Sequence, residues 1–239
     1  MKLRARTPLC VALSLVSMIA ILYSVARVSM MRSFAALEAD DARQNLARAT
    51  AVLADDLATL DNTTSDYAAW DDTCEFLEGK KPNLPTSEFP DEWFPRLRIN
   101  FVLIFDRQGR EIFAKAYDLA ARKERDMPQG LGAHLAHGSL LMGHTHPGSK
   151  VLGIVLLPSD VLLIDSQPIL DSKTRGPIRG TFLMGRYLDA AEIARLADIS
   201  HLSLTVHRLD ATSLPGDVES ARTALTYVLA YLAASIKCR

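Results

Sequence analysis

Phe101-Val102-Leu103-Ile104-Phe105-Asp106-Arg107-Gln108-Gly109 is the stretch whose reading decides the fold. Five apolar, strand-favouring residues run into a polar turn, and Glu111 to Lys115 starts a second run. The segment therefore reads as a β-hairpin with Gly109 at a positive φ. Downstream, Val151 to Leu157 and Val161 to Ile164, separated by Pro158-Ser159-Asp160, read as a second hairpin. Gly180 to Gly185 is a strand bounded by glycines, and Leu202, Leu204 and Val206 alternate as another. Tyr117 to Met127 and Leu131 to Leu141 read as helices, and Asp189 with Glu192 gives a capping-box-like start to a helix through Ala197. Strands joined as hairpins, with no βαβ units, predict an α+β domain built on a mostly antiparallel sheet.

Upstream of the hairpin, Lys80 to Pro95 holds four prolines with Phe89, Trp93 and Phe94. That composition predicts an ordered loop pinned by aromatic residues, since flexible linkers rarely carry large apolar side chains. Before it, Met30 to about Leu60 contains neither proline nor glycine and reads as a stalk helix that fades through Asp61-Asn62-Thr63-Thr64. Leu46, Leu53 and Leu60, with Ala49 and Leu57, form a seam that packs either on its own domain or on a second copy of the chain.

At the amino terminus, Lys2, Arg4 and Arg6 precede Leu9 to Ala26, eighteen residues without a charge. Such a run nearly crosses a bilayer core of roughly 30 Å, and the preceding positive charge keeps that end in the cytoplasm. The segment reads as a membrane anchor. Ser24-Val25-Ala26 also fits a signal-peptide cleavage pattern, but the apolar run is longer than is usual for one. Either reading exports the rest.

The net charge of −1 gives no support to bulk nucleic-acid binding. Cys10, Cys74 and Cys238 lie far apart, which argues against a disulfide framework or a zinc site and makes Cys74 a free thiol. No nucleophilic triad and no phosphate-cradling glycine loop can be picked out. His134, His137, His144 and His146 fall within thirteen residues and are the one constellation for metal binding, against the plainer reading of a polar loop.

Ser65-Asp66-Tyr67-Ala68-Ala69-Trp70-Asp71-Asp72 joins the stalk to the loop. It combines three acids with two aromatic residues, which either line a pocket or serve as core anchors beside solvated carboxylates.

Three stretches carry a family likeness: Asp66 to Asp72, Ile99 to Asp106 with Gly109, and Gln167-Pro168-Ile169 followed by Gly176 to Arg186. Together they resemble the type-four CHASE domain, an extracytoplasmic sensor module of bacterial and archaeal histidine kinases and cyclic-di-GMP enzymes, over about residues 40 to 208. The resemblance implies a PAS-like or Cache-like sheet carried by a long amino-terminal helix, signalling across a membrane, with a ligand pocket on the sheet; the residues themselves lead to no expectation of catalysis or of a cofactor.

On that reading the chain divides into an anchor (1–29), a stalk (30–64), a sensor domain (65–210) and a tail (211–239). It is single-pass in the inner membrane with its sensor in the periplasm, and its partners are an unidentified small molecule, the membrane and a second copy through the stalk. Asp66, Tyr67, Trp70 and Asp71 are the expected pocket or transmission residues, with Asn100 and Arg179 as polar contributors from strands. Trp70 offers a stacking surface, and the acids favour a cationic or hydroxyl-bearing ligand.

The resemblance further leads one to expect a second membrane span and an output domain. Thr223 to Ile236 is an uncharged stretch of fourteen, short for a span, and neither a cyclase Gly-Gly pair nor a Glu-Ala-Leu signature is present. The chain therefore reads as a sensor separated from its effector. The alternatives are an exported protein that binds metal through the histidines and a stalk protein that dimerises without a ligand.

Overall fold

The computed structural model describes residues 6–136, 138–174, 176–210 and 213–223. Its two compact units meet at Leu53 and Ala54. In the first, residues 6–53 are helical, and an eighteen-residue window near the amino terminus has mean hydropathy 1.7 with none of it buried by protein. This helix is long and apolar enough to cross a membrane.

The second unit is built on a six-stranded antiparallel sheet. The strands are β1 (Phe101–Asp106), β2 (Glu111–Asp118), β3 (Lys123–Arg125), β4 (Val151–Leu156), β5 (Val161–Ile169) and β6 (Gly180–Tyr187). Their spatial order is β3-β2-β1-β6-β5-β4. Both hairpins form as the sequence predicts, and Gly109 has φ 75° in the first. β1 and β6 pair at the centre, Phe101 opposite Gly185 and Asp106 opposite Gly180.

Alternation sorts the side chains onto two faces. Phe101, Leu103, Phe105, Leu162, Ile164 and Leu183 pack on one face with Leu131, Leu141 and Leu157 from the connecting loops. The opposite face carries Val102, Ile104, Leu163, Phe182 and Met184, all essentially inaccessible to solvent. It is covered by the end of α1 (Arg6–Ala68) and by three short helices, α2 (Asp71–Leu77), α3 (Leu84–Glu88) and α4 (Trp93–Leu97). An aromatic cluster fills the space: the Tyr67 ring lies 5.4 Å from Phe89, 5.6 Å from Trp93 and 6.1 Å from Phe182. The proline-rich loop is thus ordered and aromatic-pinned, as expected.

Helix α1 does not fade at Asp61. Leu60 and Thr64 are fully buried against the sheet, so tertiary packing overrides the weak helix propensity of the Asp-Asn-Thr-Thr run. Its end is fastened by unlike groups: Leu170 N donates to Ala68 O at 3.0 Å, and Thr73 Oγ1 donates to Tyr67 O at 2.7 Å. Because Leu60 is spent inside its own domain, the proposed seam for a second copy loses one of its three leucines.

Three other expectations are corrected. Tyr117 to Met127 is not a helix: β2 runs to Asp118, whose carboxylate accepts from Ala120 N and Ala121 N, and the turn leads into β3 with Arg122 at φ 53°. Leu131 to Leu141 forms two short 3-10 turns, Leu131–His134 and Leu140–Met142. Leu202 to Val206 joins no strand, because His201 ends α5 (Ala190–Ser200) in a left-handed conformation and the segment finds no sheet partner. Asp189 caps α5 through Glu192 N at 2.9 Å, but the Glu192 carboxylate turns instead to Arg98 and Arg195. Residues 224–236 of the apolar carboxyl-terminal stretch lie outside the described residues.

Candidate functional site

The expected site residues separate into three places. Asp66, Tyr67 and Trp70 do come together, with Glu88, around an open depression of about 280 Å³. Tyr67 is mostly committed to the core, since its hydroxyl accepts from Trp93 Nε1 at 2.7 Å and its ring stands edge-on to Trp70 at 5.9 Å.

Asp71 begins α2 and accepts from Ser172 N at 2.9 Å and Ser172 Oγ at 2.7 Å. Those two bonds hold its carboxyl below the usual range. Arg179 pairs with Glu78 just beyond α2, so both residues pin that helix to the loop between β5 and β6. Asn100 is buried and spends both side-chain groups on backbone: Nδ2 donates to Tyr117 O at 3.1 Å, and Oδ1 accepts from Tyr187 N at 3.0 Å. It closes the end of the sheet.

A larger cavity of about 410 Å³ lies at the opposite end of the central strands, within the usual range for small-molecule sites. Three segments enclose it. The end of β1 and its turn give Asp106, Arg107 and Gly109; the loop before β4 gives Leu135, Met142, His144, Thr145 and Pro147; the β5–β6 connection and the start of β6 give Gly176, Pro177, Ile178, Gly180 and Thr181. Gly180 makes the close approach of β6 to β1 possible, because a Cβ there would lie 2.1 Å from Phe105 O.

Charge in this cavity is unevenly committed. The Asp106 carboxylate accepts from Gln108 N and Arg110 N at 2.9 Å each and from Arg110 Nε at 2.7 Å. Burial pushes its pKa up, but these bonds outweigh burial and hold it below the usual range. Arg107 makes no hydrogen bond or ion pair among the described residues, which leaves a guanidinium available at the mouth.

His144 lies between two serines, with Nε2 3.0 Å from Ser166 Oγ and Nδ1 3.3 Å from Ser149 Oγ. Each serine has one hydroxyl hydrogen, and both are already given away: Ser166 donates to Leu141 O at 2.5 Å and Ser149 to His146 O at 2.6 Å. Both serine oxygens therefore face the ring as acceptors. Burial holds the imidazole pKa below its ordinary value, and the neutral ring carries one proton for the two serine oxygens, so one ring nitrogen faces a lone pair. A second ring proton would satisfy both serines.

Ser166 belongs to β5, where its neighbours Asp165 and Gln167 point to the other face. Gln167 Nε2 donates to Asp61 Oδ1 of α1 at 3.0 Å and to Asp165 Oδ2 at 2.8 Å. Three consecutive residues thus touch the cavity histidine on one side and the long helix on the other. The sequence already marks them, as polar residues inside an apolar strand run. Asp106 and Arg107 were visible only as turn residues.

Among the described residues no three or more of histidine, cysteine, aspartate and glutamate gather as a metal site. His144 and its serines account for one member of the histidine cluster, and His137 lies outside the described residues. Cys74 is a buried free thiol, as expected, and donates to Leu170 O at 3.1 Å.

A model of the CHASE4 domain family matches residues 52–207. The methanogenesis regulatory histidine kinase FilI of Methanothrix harundinacea (strain 6Ac) is 32% identical over 201 residues, which cover 83% of this chain and 22% of the kinase. The chain spans about a fifth of that relative's length.

Proposed function

We propose, from the premise that the chain belongs to the CHASE4 domain family, that it is the sensor of a membrane-anchored signal-transduction protein and receives a small polar molecule in the cavity over β1 and β6. The observation that carries this reading is the bond from His144 in the cavity wall to Ser166 of β5, whose neighbours Asp165 and Gln167 reach Asp61 of α1. A ligand that favours one arrangement of the His144 loop would bias how β5 holds the helix, and the helix would carry that bias toward the membrane. The histidine kinase relative suggests a kinase as the output; the domain itself recognises and relays, without catalysis. The charged amino terminus and apolar helix support an inner-membrane anchor with the sensor in the periplasm.

The test is a ligand screen of amino acids, organic acids, amines and sugars against the full chain in nanodiscs, read by thermal shift and then calorimetry. Ile178→Trp, on the loop side of the cavity, is expected to weaken a hit at least about tenfold, or roughly 1.4 kcal/mol. A hit unaffected by Ile178→Trp but lost in Trp70→Ala would move the ligand to the depression beside Asp66 and Tyr67.

A further inference from the structure

The face of β5 toward α1 holds a buried carboxylate, Asp165, within the segment that joins His144 to the helix. Asp165 is 0% exposed, and its Oδ1 has no hydrogen-bond partner. Its Oδ2 shares a single amide with a second acid, since Gln167 Nε2 donates to Asp165 Oδ2 at 2.8 Å and to Asp61 Oδ1 at 3.0 Å. The nearby cation is Lys150, before β4. Its ammonium lies 2.6 Å from Asp61 Oδ2, is half-exposed, and is spent on that acid. From α1 the Thr64 hydroxyl also faces the Asp165 carboxyl, but it gives its hydrogen to Leu60 O at 2.9 Å. Its register partners, Leu152 on β4 and Met184 on β6, bring no charge.

An ionised Asp165 therefore sets two like charges around one amide, with one buried oxygen lacking any donor. A protonated Asp165 removes the repulsion and turns a carboxylate oxygen into a hydroxyl. We infer that Asp165 is a proton-binding site that governs how firmly the last turns of α1 are held to the sheet. The proton is the ligand that fits, because the site is buried and one carboxylate oxygen is unpartnered. In support of the geometry, burial above all, with the charge of Asp61, raises this carboxyl from its ordinary value of 3.8 to about 6.

The sign follows from the two states. Asp165 holds its proton to higher pH when folded than when unfolded, so its contribution to stability is complete below about pH 3.8 and is lost as pH rises through about 6. His144 acts oppositely, because its lowered pKa makes the neutral ring the favoured folded form and removes stability as pH falls below 6.5. The wild-type profile mixes both, and the difference between wild type and Asp165→Asn isolates the first.

The experiment uses the full chain in nanodiscs, melted between pH 4.5 and 8. The melting temperature of Asp165→Asn minus that of wild type is expected to grow with pH, by roughly 5–10 °C over the range. In wild type, amide exchange across residues 57–64, corrected for intrinsic rate, is expected to speed up by about tenfold between pH 5 and 7.5. In Asp165→Asn that change is expected to disappear. A constant difference in melting temperature, or helix exchange that ignores pH in wild type, would overturn the inference. Should Asp165→Asn fail to fold, Asp61→Asn serves instead: it removes the like charge and must move the wild-type exchange midpoint to lower pH, and an unmoved midpoint counts against the site.

Discussion

Asp56→Ala is expected to destabilise the folded domain by about 3–5 kcal/mol, the usual consequence of removing one partner from a buried ion pair. Asp56 is 4% exposed and holds three guanidinium groups: Arg98 Nη2 at 3.0 Å, Arg186 Nη1 at 3.1 Å and Arg195 Nη2 at 2.5 Å. Glu192 supplies a second acid to Arg98 and Arg195 but stands 3.7 Å from Arg186. Arg186 is 1% exposed and has Nε and Nη2 without partners already. Burial pulls its pKa down and Asp56 opposes that, yet a guanidinium stays charged across the working pH range. Without Asp56 that cation is stranded inside the protein. Urea unfolding of the two proteins measures the loss, and a difference below about 1 kcal/mol would show that the network tolerates losing its central acid. By contrast, the half-exposed Lys150–Asp61 pair is screened by water and salt, so Lys150→Met is expected to cost no more than about 1 kcal/mol.

Gly185→Val is expected to cost at least about 3 kcal/mol, at the upper end of overpacking effects. A Cβ at this position would lie 2.2 Å from Cζ of Phe101 and 2.8 Å from both its Cε atoms. The ring has nowhere to go: Phe101 is 0% exposed, and its strand is hydrogen-bonded on both sides by β2 and β6. The cost is one of volume, so Phe101→Ala in the same chain should recover part of it. The two substitutions should then couple favourably in a double-mutant cycle. Strictly additive losses in that cycle would place the strain elsewhere.

The strands were legible where the chain runs apolar between turn residues, as in Phe101 to Phe105 and Val151 to Leu156, whereas the alternation of Leu202, Leu204 and Val206 misled. The turn at Gly109 was legible too, because few residues other than glycine accept its φ of 75°. Charged composition misled at Tyr117 to Met127, since an exposed edge strand such as β3 (Lys123–Arg125) carries the same residues as a solvated helix. Asp66 to Asp72 spans the end of α1 and the start of α2. The larger cavity was not legible, because its walls come from three separate segments that meet through the β1–β6 pairing and the bond from His144 to Ser166 of β5. Long-range pairing of that kind leaves no mark in local periodicity.

The fastening of α1 at its carboxyl end limits how the helix can move. Sliding it along its axis by one residue, about 1.5 Å, would break both the Leu170–Ala68 and Thr73–Tyr67 hydrogen bonds, which hold the final turn from two sides. Tilting about Ala68 leaves both intact. The end of the helix is therefore a fulcrum, and the Asp61–Gln167 and Asp56–Arg186 contacts lie two and more than three turns along the lever arm, where a small angle opens the largest gap.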